Sequence, residues 1–284
     1  CHESSVKRLT VDPQNPTVFH SCGADGHVFL FDIREQHVCR SADSMKVLVA
    51  DSDTEIFTMD VNPSRTHEFI VAGTSRFVSL FDKRNPGKQL GVFGANGLNS
   101  HITGVAYNNY GSEIVASYSG RGVSLFDNDD MYQCKHECAH AWDDDIQTYT
   151  QMYTGHKNTD TVKSVNFFGP HSEYVVSGSD CGRIFLWNKW TSEVVNCFQG
   201  DRNIVNCITG HPSDHNILAS SGIENHVYLW SPTGNKECDL SGLEDVMQEN
   251  TLTSSGAAAM FRQLIHARWL RENANDYMES DSDD

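Results

Sequence analysis

Short apolar runs recur along the chain in pairs, and every pair has the same internal order. A first run ends in small residues, a polar turn follows, and a second run closes on an aromatic residue. Apolar runs of four to six residues between turn residues are typical of β-strands. Five pairs align, at residues 19–32, 69–82, 114–127, 174–188 and 217–231. The pattern predicts an all-β protein built from repeats.

The spacing of these repeats predicts their architecture. The closing aromatics are residues 31, 81, 126, 187 and 230, at successive gaps of 50, 45, 61 and 43 residues. A further strand signal precedes each pair, at residues 6–11, 56–61, 102–107, 162–167 and 204–208. A repeat of about four short strands buries both faces of its sheet only when sheets pack side by side around a ring. The longest gap predicts an insertion at about residues 128–152.

The fourth repeat resembles the WD40 family at the positions that are characteristic of that family. These positions hold Gly155-His156, Ser177, Asp180 and Trp187. The resemblance implies a β-propeller, with a hydrogen-bonded chain inside the blade that runs from the turn Asp to His, Ser and Trp. Such a chain would satisfy polar groups that the blade buries. Asp25 is the matching turn residue of the first repeat.

About five blades are visible in the sequence, whereas most WD40 propellers have seven. We therefore expect a fragment, with two further blades before Cys1. An open arc, or a degenerate blade in the tail, is the alternative. The turn positions of the second, third and fifth repeats hold Ser75, Gly120 and Asn225, so we expect weaker polar networks in those blades.

Two consecutive repeats end in a shared motif. The first ends Phe31-Asp32-Ile33-Arg34 and the second Phe81-Asp82-Lys83-Arg84. Both resemble the Trp-Asp-x-Arg motif of the cullin-4-associated factors, the WD40 substrate receptors of cullin-4 ubiquitin ligases. Residues 176–187, 204–207, 218–222 and 260–264 are similar to the group of that family that contains associated factors 6 and 8. In both motifs Phe stands where the family prefers Trp, and in the second repeat Ser75 replaces the usual turn Asp.

The narrower resemblance implies a substrate receptor whose rim binds the ligase adaptor, damage-specific DNA-binding protein 1, through Asp32, Arg34, Asp82 and Arg84. A guanidinium offers a planar fork of donors to acidic groups of a partner. The client would be a second, unidentified protein. Two alternatives stay open: an Asp-x-Arg pair that is only a local ion pair on a solvated rim, and a WD40 scaffold or peptide or histone reader outside the ubiquitin system.

Composition narrows the classes of partner. The chain has 284 residues and a formal net charge of −17, which repels nucleic-acid phosphates. It has no apolar run near the roughly 20 residues of a membrane span. Nine scattered cysteines favour buried thiols over a disulfide framework, and we expect a cytoplasmic or nuclear protein. The expected partners are proteins, with no nucleic acid and no membrane.

The remaining motifs give little sign of chemistry. The insertion holds Cys134, His136, Cys138 and His140, but their alternate spacing suits a polar loop better than a tetrahedral zinc site. The chain has no nucleophile elbow and no His-Glu-x-x-His pattern. We therefore expect no enzyme activity, no metal and no cofactor.

The chain is predicted to divide into three parts. Residues 1–240 form the propeller blades, 241–272 a helical extension, and 273–284 an acidic disordered tail. Within the extension, residues 257–270 have the spacing of an amphipathic helix, and Leu243 to Met247 indicate an earlier short helix. The longer helix either packs on its own propeller or binds a partner.

Overall fold

The computed structural model describes residues 1–35, 46–94, 100–129, 149–234 and 238–253. In these residues, nineteen strands form five antiparallel sheets that follow one another along the chain. The first two sheets are β1 (Val6–Val11), β2 (Val18–Gly23), β3 (His27–Asp32), β4 (Lys46–Ala50), and β5 (Ile56–Val61), β6 (Glu68–Gly73), β7 (Val78–Asp82), β8 (Gln89–Phe93). The third is β9 (Ile102–Tyr107), β10 (Glu113–Tyr118), β11 (Val123–Asp127), β12 (Tyr149–Tyr153). The last two are β13 (Val165–Phe168), β14 (Tyr174–Gly178), β15 (Arg183–Asn188), β16 (Val194–Gln199), and β17 (Val205–Gly210), β18 (Leu218–Gly222), β19 (Val227–Trp230).

Each hydrophobic core lies between two consecutive sheets. Between the first and second sheets, for example, Val28 and Leu48 pack with Ile56 and Phe69. Three similar clusters join the second sheet to the third, the third to the fourth and the fourth to the fifth. The first strands of neighbouring sheets also contact each other, from β1 through β5, β9 and β13 to β17. The predicted β-propeller fold is confirmed, with five blades numbered here from the N-terminus.

The predicted first strands of the blades are mostly found where the apolar pattern placed them. β1, β5 and β9 have the predicted bounds, whereas β13 starts at Val165 instead of residue 162. The difference arises because Ser164 donates its N–H to the Asn206 carbonyl of the next blade and not to its own sheet.

The two outermost blades present apolar faces to solvent. Val6, Leu9 and Val11 are exposed on β1, and Val227 and Leu229 are exposed on β19. Between these faces the described blades form an arc, and the expectation of two further blades remains a prediction.

Helix α1 (Leu243–Thr253) extends the short helix predicted from Leu243. Leu243, Val246 and Met247 pack on the core between the third and fourth blades. Asn250 donates its side-chain N–H to the Gly155 carbonyl at 2.8 Å, so the helix is attached to the fourth blade. The predicted helix at 257–270 and the acidic tail lie outside the described residues.

Three further expectations concern the insertion, the cysteines and membrane-spanning segments. The predicted insertion at about 128–152 begins after β11 but overlaps β12 (Tyr149–Tyr153), and Cys134, His136, Cys138 and His140 lie outside the described residues. None of the six described cysteines forms a disulfide, but only Cys22 is buried among them, so the expectation of generally buried thiols is wrong. No helix in the described part of the chain is long and apolar enough to cross a membrane.

Candidate docking rim

The turns after the first and third strands of each blade lie on one edge of the arc. Each sheet is an antiparallel meander, so its first and third turns share an edge and its second turn lies on the other. Contacts between blades confirm that these edges are aligned, because Asn62 of the second blade donates to the Gly111 carbonyl of the third at 2.9 Å. We call this edge, which carries Arg34 and Arg84, the arginine rim.

Arg34 is held by the last residue of β3. Asp32 Oδ1 accepts the backbone N–H of Arg34 at 3.0 Å and its Nε–H at 2.9 Å. Asp32 Oδ2 accepts from Nη2 at 2.5 Å. The carboxylate therefore closes the turn and binds the guanidinium in a bidentate fork.

Arg84 repeats this geometry one blade later. Asp82 Oδ1 accepts the Arg84 backbone N–H at 2.8 Å, and Nη2 donates to Oδ2 at 2.7 Å. The two motifs thus share one local structure, even though Ser75 stands in the second blade at the position of Asp25 in the first.

Burial and charge differ sharply within each pair. The Arg34 and Arg84 side chains are 63% and 66% exposed, whereas those of Asp32 and Asp82 are 10% and 13% exposed. The hydrogen bonds from Arg34 hold the pKa of Asp32 down at about 2, and those from Arg84 lower the pKa of Asp82. Nη1 of each arginine makes no hydrogen bond to the described residues. The geometry is that of a local ion pair, and it also presents a fixed, exposed cation to a partner.

The lysines of this rim connect one blade to the next. Lys83 lies between Asp82 and Arg84, and its Nζ donates to Asp12 of the first blade at 2.5 Å. Burial opposes the ionisation of Asp12, but Lys83 and two backbone N–H groups lower its pKa. Sequence reasoning did not identify this contact, because the partners are 71 residues apart. It fixes the turn that carries Arg84 against the preceding blade.

The first blade contains the Asp, His and Ser members of the polar network that the WD40 resemblance implies, with Phe31 in the place of the Trp. His2 Nδ1 lies 2.9 Å from Asp25 Oδ1, and its Nε2 lies 2.7 Å from Ser21 Oγ. Asp25 also accepts the backbone N–H groups of Glu3 and His27. Sequence reasoning selected Asp25 and missed His2, although Cys1-His2 stands where the fourth blade has Gly155-His156.

In the fourth blade the expected chain is replaced by other contacts. His156 is buried in a T-shaped contact with Trp187, at a centroid distance of 5.3 Å, and neither ring nitrogen has a hydrogen-bond partner among the described residues. Ser177 Oγ donates to the Ser164 carbonyl at 3.3 Å, and Trp187 Nε1 donates to the Thr154 carbonyl at 2.9 Å.

Asp180 binds Lys163 instead of His156. Both side chains are fully buried. Asp180 Oδ2 also accepts the backbone N–H groups of Thr159 and Asp160, at 2.7 and 2.9 Å. Here the expected network is wrong, because an ammonium gives a carboxylate a stronger bond than a neutral imidazole does. Burial, with repulsion from Lys163, lowers the pKa of His156 to about 3.

Comparison with known families matches the repeats directly. The family described as "WD domain, G-beta repeat" matches residues 1–32, 147–188 and 192–231. The chain therefore contains WD40 repeats. These matches cover the first three strands of the first, fourth and fifth blades, and they include the last strands of the third and fourth blades, β12 and β16. The second blade is a four-stranded sheet outside the matched residues.

Short segments of the chain are similar to curated proteins. Human "WD and tetratricopeptide repeats protein 1" is 50% identical over 95 residues, which is 33% of this chain and 14% of that protein. "Protein ALTERED SEED GERMINATION 2" of Arabidopsis thaliana is 42% identical over 93 residues, 32% of this chain and 12% of that protein. Human "DDB1- and CUL4-associated factor 6" is 46% identical over 82 residues, 28% of this chain and 9% of that protein. Each match thus spans about a seventh or less of the relative.

Proposed function

Starting from WD40 blades that form a scaffold for protein interaction, we propose that this chain is a substrate receptor of a cullin-4 ubiquitin ligase. Arg34 and Arg84, oriented by Asp32 and Asp82, bind the adaptor, damage-specific DNA-binding protein 1. The observation that carries the proposal is the identical fork geometry on the same edge of two consecutive blades.

The proposal gives each edge of the arc a role. The arginine rim meets acidic groups of the adaptor, and the opposite edge or the central mouth binds an unidentified client. The chain itself supplies no chemistry. It raises the local concentration of the client near the ubiquitin-loading machinery. The described cysteines form no disulfide, which suits the reducing conditions of cytoplasm or nucleus, where we expect the chain to act.

One relative supports this choice of partner by its printed name, which associates it with DDB1 and CUL4. The geometry supports it independently of the name. A surface ion pair contributes only about 0–1 kcal/mol to stability, so two exposed, prearranged arginines on one edge are more useful for binding than for folding.

The test is a direct binding titration of the purified 284-residue chain with the purified adaptor. We expect Arg34→Ala and Arg84→Ala each to weaken binding about tenfold, and the double variant at least about a hundredfold. Replacement by Lys should restore little, because the ammonium lacks the planar fork. Arg121→Ala is the matched control, since Arg121 is exposed on the opposite edge.

The titration also separates the alternatives. If the wild-type chain does not bind the adaptor, the ligase assignment is wrong and a scaffold or peptide reader outside the ubiquitin system replaces it. If the Arg variants bind like wild type while remaining folded, the local ion pair is the whole role of these residues.

A further inference from the structure

Trp190 occupies in the fourth blade the position that Arg34 and Arg84 occupy in the first two. It lies two residues after Asn188, the last residue of β15, as each arginine lies two residues after Asp32 or Asp82. Asn188 Oδ1 accepts the backbone N–H of Trp190 at 3.0 Å, which is the turn geometry of the arginine motifs. Trp190 therefore stands on the arginine rim.

The indole is exposed but held in place. Trp190 is 61% exposed, although it is among the largest apolar side chains in the protein. Lys189 Nζ lies 5.0 Å from the ring centroid and donates to Glu113 of the third blade at 2.8 Å. Gln151, also in the third blade, donates to the Trp190 carbonyl at 3.2 Å. Lys189 thus repeats the role of Lys83 and fixes the turn against the preceding blade.

A groove lies beside the indole, between the third and fourth blades. Its volume is about 250 Å³. Leu125 and Trp190 form its apolar wall, and the rest of its lining is polar or charged: Glu113, Asp127, Thr150, Gln151 and Lys189. The groove gives an incoming side chain contact with the ring on this rim. A partner can therefore bury the indole and not merely touch it.

A second exposed aromatic residue lies on the same edge. Tyr110 is 55% exposed, and its hydroxyl lies 3.1 Å from His171 Nδ1 of the fourth blade. Ser64 of the second blade donates to the Tyr110 carbonyl at 2.7 Å. The turn of Tyr110 is therefore bound to the blades on both sides.

Charge changes along the rim where the aromatics begin. The corresponding position of the third blade holds Asp129, which pairs with Arg65 at 2.9 Å. An acidic partner surface that suits Arg34 and Arg84 cannot continue over a carboxylate without repulsion. Beyond the second blade, the rim presents the Arg65–Asp129 pair and then the exposed indole of Trp190, which favours apolar groups of a partner at the fourth blade.

From these observations we infer that the surface which binds the adaptor at Arg34 and Arg84 extends to the fourth blade, where Trp190 is its apolar anchor. The inference rests on the proposed function and specifies its partner surface further: acidic over the first two blades, and apolar where it meets the indole of Trp190. Trp, Tyr and Arg are the residues enriched at the energetic centres of protein interfaces. Prearranged side chains also lose little conformational entropy on binding.

The test uses the same titration. We expect Trp190→Ala to weaken adaptor binding about 30-fold or more, and Trp190→Phe to weaken it several-fold. Ile223→Ala is the matched control, because Ile223 is an exposed apolar residue on the opposite edge, and its binding should stay within about twofold of wild type. Unchanged melting temperatures would show that the variants are folded.

Salt dependence separates an apolar anchor from an electrostatic one. Arg34→Ala should reduce the loss of affinity with rising salt, whereas Trp190→Ala should leave this dependence unchanged. If the Arg variants lose binding and Trp190→Ala does not, the extension to the fourth blade is wrong and the proposed function stands. If the wild-type chain does not bind the adaptor, both are wrong.

Discussion

The buried pair of Lys163 and Asp180 allows a quantitative test of the fold. Both side chains are fully buried. Replacing Lys163 by Met keeps most of the volume and removes the charge, so the Asp180 carboxylate stays buried with only its N–H and hydroxyl donors. Breaking a buried ion pair on one side costs about 3–5 kcal/mol. For a chain of this size, we expect the melting temperature to fall by roughly 10 °C.

The matched control is an ion pair of the same chemistry at the surface. Lys46 Nζ lies 3.2 Å from Glu35 Oε1, and these side chains are 57% and 61% exposed. Lys46→Met should therefore cost less than about 1 kcal/mol. Urea denaturation of the two variants, followed by circular dichroism, measures both losses in the free energy of unfolding.

A double-mutant cycle identifies the cause of the loss. Lys163→Met combined with Asp180→Leu leaves no buried charge at this position, so the double variant should be more stable than the sum of the single losses predicts, by about 2 kcal/mol. If Lys163→Met lowers the free energy of unfolding no more than Lys46→Met does, the Lys163–Asp180 ion pair is not buried away from water in solution, and the prediction is wrong.

Two further predictions concern the core of the fourth blade. Trp187→Phe should lower the free energy of unfolding by about 2 kcal/mol, because the smaller ring leaves a gap and removes the donor to the Thr154 carbonyl. A urea denaturation midpoint equal to that of the wild type would contradict this prediction. In the folded state, burial lowers the pKa of His156 from the ordinary 6.5 to about 3. Between these two pH values the unfolded state therefore binds more protons than the folded state. The free energy of unfolding then falls as the pH is lowered from about 6.5 to about 3. His156→Phe should make this decline shallower in melting curves recorded from pH 4 to 7, and an unchanged slope would show that His156 does not cause it.

Local patterns in the sequence predicted what depends on local geometry. The alternation of apolar runs and turns gave β1, β5 and β9 their bounds, because a strand's register follows its own hydrophobic pattern. The Asp-x-Arg forks were also readable, since the two residues of each pair lie within one turn.

Contacts between distant residues could not be read in this way. Lys83 meets Asp12 and Lys189 meets Glu113 across blade boundaries, over separations of 71 and 76 residues. In the fourth blade the WD40 pattern predicted His156 for Asp180, but the segment before β13 brings Lys163 to that carboxylate. The choice between these two donors depends on their positions in space, because both lie well before Asp180 in the sequence.

In the first four blades, the turn after the third strand is held by one residue and presents the side chain of another. An Asp or Asn at the strand end accepts the backbone N–H of the residue two positions later, whatever side chain that residue carries. Single substitutions at this position can therefore change the exposed groups of the rim while the backbone of the turn stays the same. Read from the first blade to the fourth, these positions are two cations, an anion and an indole. Because this order differs when it is read from the fourth blade to the first, a partner with complementary groups fits the rim in one orientation and not in the reverse orientation.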